Sequence, residues 1–287
     1  MTSPPDISDT AAPRPAFTPQ ALLLDLDGTV LDYAVRLHPR IRAAVRNAAN
    51  KLPVVIATGR MYRSALPWAR ALGVRAPLVC YQGALVRELP HEDDAAGAVL
   101  LEQGVSPAAA LRALQVCRRH RWYFQAYADD RILCDEDRPE GALYTQISGV
   151  ERTFVPDLEP IVRSGGSTKG VAVVTDPDEA VRCRAVLADA LAGSARVTPS
   201  RPEFIEVVSP DVSKAAACAL VCERCGVEIA HAVAFGDGVN DIEMLDAAGF
   251  AVAVRGAPPE VQEHVDAVCA GPEDGGVADA LRALEIA

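Results

Sequence analysis

No apolar run in these 287 residues approaches the roughly 20 that a membrane-spanning helix needs. The N-terminus lacks the basic start and apolar stretch of a secretory leader, so a cytoplasmic location is expected. Excess positive charge is also missing. The formal net charge of −11 argues against a nucleic-acid or anionic-membrane partner, since either usually requires a basic face. An anionic ligand would therefore need local positive charge from a metal, an amine or helix N-termini. Disulfide density is absent too: the eight cysteines lie far apart, apart from Cys218, Cys222 and Cys225. Their i, i+4, i+7 spacing puts all three on one helical face, where thiols pack as small hydrophobes. No second ligand pair with zinc spacing accompanies them. Lysine is the scarcest cation, with Lys51, Lys169 and Lys214 the only three among 28 basic residues.

Half of the residues are apolar, enough for one large domain or two modest ones. Residues 1–19 are rich in Pro, Ser, Thr and Ala, and read as a disordered tail. Ala21–Asp27 is a continuous apolar run ending in carboxylates, the pattern of a strand buried on both faces of a parallel sheet. Similar runs recur at Val54–Ala57, Leu78–Tyr81, Ala230–Phe235, Phe250–Val254 and Ala267–Ala270. Between the early runs, Ile41, Ala44, Val45, Ala48, Ala49 and Leu52 form a helical stripe, and Tyr62–Leu72 reads as a second helix bent at Pro67. This alternation predicts an α/β, doubly wound parallel-sheet domain.

The middle of the chain differs. A helix is predicted from Ser106-Pro107 to about His120, and then a hairpin of Trp122–Ala128 and Arg131–Cys134. A strand near Gly170–Thr175, a helix near Asp178–Leu191 and strands near Arg196–Thr198 and Phe204–Val208 follow. Grouped strands with helices to one side predict an inserted α+β domain over 85–209, within a core formed by 20–84 and 210–287.

Asp25 and Asp27, two apart on a strand, leave on the same face at its carboxyl end, where open parallel sheets bind ligands. Two carboxylates held together need a cation or a shared proton. One reading is a metal-bound nucleophile beside a proton shuttle; the other is a turn, which explains Asp27-Gly28 but not Asp25 after Leu22-Leu23-Leu24. Thr58-Gly59-Arg60 ends a second strand, where a hydroxyl and free amides can cradle an oxyanion or simply cap a helix. Lys214 opens the predicted helix Ala215–Cys225, where the macrodipole disfavours a cation unless an anion faces it. Asp237 ends another strand and Asp241 follows four residues later. With Asp25 and Asp27 they make an all-oxygen set of the kind that suits Mg²⁺.

With these motifs in order, DLDGTV at 25–30, ATGR at 57–60, SK at 213–214 and GDGVNDIEML at 236–245, the chain resembles the haloacid dehalogenase (HAD) superfamily, and within it the Cof-like phosphatases. The resemblance covers everything after the tail and implies a Rossmann-like core with a cap. It makes Asp25 the nucleophile and Asp27 the general acid/base. Thr58, Gly59, Lys214 and Asn240 become the phosphate-holding positions. Asp237, the Asp25 carboxylate, the Asp27 carbonyl and Asp241 become the Mg²⁺ site. Gln82 stands where Asn is usual, Asp211 lies in a segment lacking the usual Gly, and Gly256 lies where Met-Gly-Asn-Ala is common. The resemblance implies hydrolysis of a small phosphorylated metabolite such as a sugar phosphate through an aspartyl-phosphate. Dehalogenases and P-type ATPases of the superfamily lack the Asp27 carboxylic acid. A phosphomutase of the same fold and a non-catalytic sensor are the alternative readings.

Overall fold

The structure is a computed structural model that describes residues 4–9, 11–90, 97–165 and 167–286. Parts of the expected tail (1–3, 10) and insert (91–96, 166) lie outside the described residues. Five of the apolar runs form one all-parallel sheet in the order Ala267–Cys269, Phe250–Val254, Ala232–Gly236, Ala21–Leu24, Val54–Ile56. Every residue of Ala21–Leu24 is buried, because strand side chains alternate between faces and helices cover both. Leu22 and Leu24 pack with Ile41 and Val45 of the helix Pro39–Ala49 and Leu281 of the helix Gly276–Ala283. Ala21 and Leu23 pack with Cys218 and Val221 of the helix Lys214–Arg224 and Met244 of the helix Ile242–Ala247. The three clustered cysteines are free and lie in or against that second cluster, as packing groups.

Leu78–Cys80 keeps the expected parallel direction beside Val54–Ile56 but does not extend the sheet as a full strand pair. It touches the main sheet through a single bridge, Ala57 to Val79, and pairs antiparallel with Leu85–Arg87, which pairs with Val99–Glu102. The reversal is made at Tyr81 and Gln82, both left-handed at φ 52° and 61°. Val86, Leu100 and Leu101 pack into the core's cluster, so the boundary suggested at 85 falls inside this small sheet.

A six-stranded sheet follows, in the order Arg196–Arg201, Phe204–Val208, Lys169–Val173, Tyr123–Ala128, Arg131–Cys134, Arg152–Phe154. On one face, Phe124, Ala126, Ala172 and Ile205 pack against the helices Pro107–His120 and Pro177–Ala190. The intervening residues Tyr123, Tyr127, Val171 and Phe204 point to the other face, toward the parallel domain and Tyr144. Tyr144 belongs to a helix, Pro139–Ser148, absent from the sequence reading. Only Gly141 and Tyr144 of that helix are buried, too few to leave an apolar stripe. No helix among the described residues is long and apolar enough to cross a membrane.

The expectation of a disordered tail is corrected for the described part of residues 1–19. Asp6 bridges Val268, whose strand is the edge of the parallel sheet. The Ile7 amide donates to the Val268 carbonyl at 2.7 Å, and the Val268 amide donates to the Pro5 carbonyl at 2.9 Å. An edge strand offers unpaired amides and carbonyls, and this segment covers them. Ile7 is 1% exposed and belongs to the main core, while Asp6 pairs with Arg255 at 2.6 Å. Composition hid this because one buried isoleucine suffices to anchor a short segment. Ile7→Ala is expected to lower unfolding free energy by about 2–5 kcal/mol in urea denaturation; a loss below about 0.5 kcal/mol would mean that the segment is not docked in solution.

Candidate active site

Asp25 and Asp237 follow neighbouring parallel strands whose register pairs Leu24 with Phe235, so the two carboxylates emerge side by side at the sheet's carboxyl edge. Gly28 lets the next turn pass over them. Its φ is +90°, and a Cβ there would collide with the Asp237 carboxylate. Lys214 reaches this edge from the first turn of its helix, whose start is capped by Ser213 accepting from the Ala215 and Ala216 amides. Its ammonium donates to Asp25 Oδ1 and Asp241 Oδ1, both at 2.6 Å. Asp241 Oδ2 accepts the amides of Asp237 and Gly238 at 3.1 and 3.0 Å. Asp237 is held by the Thr29 and Tyr33 hydroxyls at 2.9 and 2.7 Å.

The charges of this group do not balance. Three carboxylates, Asp25, Asp237 and Asp241, offer oxygens within 4.8 Å of one another, and the ammonium bonded among them is that of Lys214. Burial pushes Asp25 well above the usual carboxylate range, against the pull of Lys214 and with Asp241 and Asp237 adding to it. Burial and then Asp241 push Asp237 up to about 6. An all-oxygen donor set with surplus negative charge fits a hard divalent cation.

Asp27 faces a different partner. Arg60 grips it as a fork, Nε to Oδ2 and Nη2 to Oδ1, each at 2.6 Å. The Arg60 amide also donates to Thr58 Oγ1 at 3.1 Å, which orders the loop ending the strand Val54–Ile56. Asp25, Asp27, Thr58, Gly59, Asp237 and Asn240 all line one cavity of about 250 Å³. Lys214 and Asp241, 2% and 1% exposed, stand behind Asp25. The structure thus brings all eight sequence-predicted residues into one neighbourhood, six on the cavity wall and two supporting it.

Several residues at the site escaped the sequence reading. Lys169, 0% exposed on the six-stranded sheet, donates to Glu206 Oε1 at 2.7 Å and to the Gly59 carbonyl at 2.6 Å. Burial pulls its pKa down, but Glu206, together with Tyr144 and Cys80, holds the ammonium above its ordinary range. Glu206 also accepts from Ser200 at 2.7 Å and from Gln82 at 3.0 Å, and Gln82 in turn accepts from Asn240 at 3.1 Å. The Gln82 side chain thereby spans the gap from Asn240 to Glu206. The rarity of lysine was a usable signal for Lys169, as was a charge inside the apolar run Phe204-Ile205-Glu206-Val207-Val208 for Glu206. Arg60 sits inside a motif that was read, yet its bond to Asp27 crosses 33 residues. Nothing local marks Tyr33.

A family model for haloacid dehalogenase-like hydrolases matches residues 22–281. The phosphoglycolate phosphatase of Archaeoglobus fulgidus is 27% identical over 270 residues, 93% of this chain and 98% of the relative. The crystal structure of TM0651 from Thermotoga maritima is similar at a TM-score of 0.76 and 30% identity, covering 92% of this chain and 96% of its own. The HAD subclass IIB sugar phosphatase BT4131 shares the fold, with a TM-score of 0.80 at 18% identity over 93% of this chain and 100% of its own.

Removing one partner of a buried ion pair strands the other charge. Lys169→Met is therefore expected to cost about 3–5 kcal/mol in chemical denaturation, while the double change Lys169→Met with Glu206→Gln recovers part of that loss.

Proposed function

The chain belongs to the haloacid dehalogenase-like hydrolases, and we propose that it is a Mg²⁺-dependent phosphomonoesterase acting on a small phosphorylated metabolite. The observation that carries this reading is Asp25: buried, fixed through Oδ1 by Lys214, and open to a cavity it shares with Asp27. The phosphatases among its relatives support it.

Asp25 attacks phosphorus in line, forming an aspartyl-phosphate as the ester P–O bond breaks. Asp27, in the protonated form and with one arm of the Arg60 fork released, gives its proton to the departing alkoxide. It then takes a proton from the water that hydrolyses the acyl-phosphate, releasing phosphate and restoring Asp25. The Thr58 hydroxyl and the Gly59 amide hold the phosphoryl oxygens, and the Asn240 amide lies beside them. Lys214 keeps the Asp25 carboxylate oriented and lowers the negative charge that the incoming dianion meets. Asp25, Asp237, Asp241 and the Asp27 carbonyl would hold Mg²⁺, which when bound supplies positive charge to the transferring phosphoryl group. The six-stranded domain serves as a cap: Tyr144, Ile147, Pro202 and Phe204 give the cavity an apolar part of its wall. A volume of about 250 Å³ suits a small ester rather than a polymer. Eight free thiols fit a reducing compartment, and we place the chain in the cytoplasm.

Asp25→Asn is expected to reduce phosphate release from a panel of metabolite esters by at least about 10³-fold. Wild-type rates in that variant would overturn the mechanism. Mg²⁺ at a hundredfold excess over its Kd should add about 2.7 kcal/mol of stability, read as a rise in Tm that Asp237→Asn abolishes. The raised Asp237 also sets a direction with pH. Its folded pKa of about 6 lies above the ordinary 3.8, so without metal its ionisation costs stability as pH climbs between the two. Protons and Mg²⁺ compete for the same carboxylates, so the Mg²⁺-induced rise should shrink as pH falls below about 6. A Tm rise constant from pH 5 to 8 would contradict a site built on Asp237.

A further inference from the structure

We propose that Arg201 receives a second anionic group on the leaving part of the substrate. The esters taken by this site then bear a carboxylate or a further phosphate on the same short carbon chain as the scissile ester. This rests on the phosphatase reading for which bond is cut, but its observations are separate from that reading.

Arg201 ends the strand Arg196–Arg201 and lines the cavity, with its side chain only 10% exposed. Nη2 donates to the Tyr33 carbonyl at 2.9 Å, and the guanidinium lies 5.3 Å from the Tyr33 ring and 5.9 Å from the Phe204 ring. The side chain is therefore held in place. Its Nε and Nη1, however, are buried without a hydrogen-bond partner. Two carboxylates face them as long ion pairs without forming hydrogen bonds, Glu203 Oε1 at 3.5 Å from Nε and Asp27 Oδ1 at 4.0 Å from Nη1. Asp27 is moreover already gripped by Arg60 through both oxygens. A buried guanidinium with idle donors is costly unless something else binds there.

The location says what binds. Nη1 lies 4.0 Å from the carboxylate that protonates the leaving oxygen, so the group attached to that oxygen comes to rest against Arg201. Its partner must be anionic, compact and close to the ester. The other lining charges divide accordingly. Arg60 and Glu206 are already paired, with Asp27 and Lys169; Asp25 and Asp237 belong to the carboxylate cluster at the phosphoryl end, and Glu260 is a further carboxylate on the lining. Arg184, exposed on the helix Pro177–Ala190, adds a second cation to the cap side of the same cavity. Two arginines on the cap side of the cavity, Arg201 and Arg184, suit a substrate that carries a second anionic group.

The test compares kcat/KM for phosphoglycolate and for ethane-1,2-diol bisphosphate with that for 2-hydroxyethyl phosphate, which has a neutral end of similar size. The wild type is expected to favour at least one anionic ester by about 10- to 100-fold, the range of a hydrogen bond to a charged group. Whichever is favoured tells carboxylate from phosphate. In Arg201→Met the preference should fall to about unity, and Arg201→Lys, which keeps the charge but not the planar donors, should restore part of it. Equal turnover of neutral and anionic esters by the wild type would overturn the inference, whatever the variants do, and leave the phosphatase reading intact. A preference that survives in Arg201→Met would do the same. Calorimetric titration with 3-phosphonopropionate and propylphosphonate, in the presence of Mg²⁺, needs no turnover. If no ester is hydrolysed but the carboxylate analogue binds more tightly through Arg201, the phosphatase reading fails and the anion subsite stands.

Discussion

The ammonium of Lys214, bonded at 2.6 Å to both Asp25 and Asp241, is the contact on which the rest of the site depends. Carboxylates withdrawn from water and set a few ångströms apart cannot all stay ionised without a cation among them. Strand topology creates that crowding, since Asp25 and Asp237 continue adjacent parallel strands. The helix packed on one face of the same sheet answers it with a lysine at its first residue, a position its own dipole disfavours. Charge is compensated only in part. The surplus negative charge on an all-oxygen donor set fits a hard divalent cation.

The same physics ties the two domains together. Lys169 and Glu206 come from neighbouring strands of the six-stranded sheet, and both are buried. Lys169 binds the Gly59 carbonyl of the loop that ends Val54–Ile56, and Glu206 binds Gln82, which binds Asn240. A change in how the cap sits must therefore disturb the loop carrying Thr58 and Gly59. The six-stranded sheet and the loops at the carboxyl edge of the parallel sheet are thus joined by one hydrogen-bonded chain. Gln82 occupies the left-handed turn that reverses the chain after Leu78–Cys80, and it pairs its backbone strain with a side chain bonded at both ends.

Most of the parallel sheet was legible because strands buried on both faces must be continuously apolar, and few other segments of this chain are. Leu78–Tyr81 has the same pattern but turns aside after one bridge, and its apolar residues serve a small antiparallel sheet instead. The helix Pro139–Ser148 left no stripe to find, because a helix lying over a cavity needs few buried residues. The docking of Ile7 was equally invisible, since it depends on where an edge strand 261 residues later happens to lie.

The sequence by itself determined which residues could do chemistry: Asp25, Asp27, Thr58, Lys214, Asp237 and Asp241 stand out because each is a polar or ionisable group at the end of an apolar run or the start of a helix. Local pattern suffices there, as strand ends and helix starts are set by nearest neighbours. Only the tertiary structure decided how those groups are paired. Arg60 on Asp27, Lys169 on Glu206 and the idle donors of Arg201 are relations across 33, 37 and, for Arg201 and Asp27, 174 residues. No periodicity records such distances. Charge pairing in a buried site is fixed by which surfaces pack together, and that is settled by the whole chain at once.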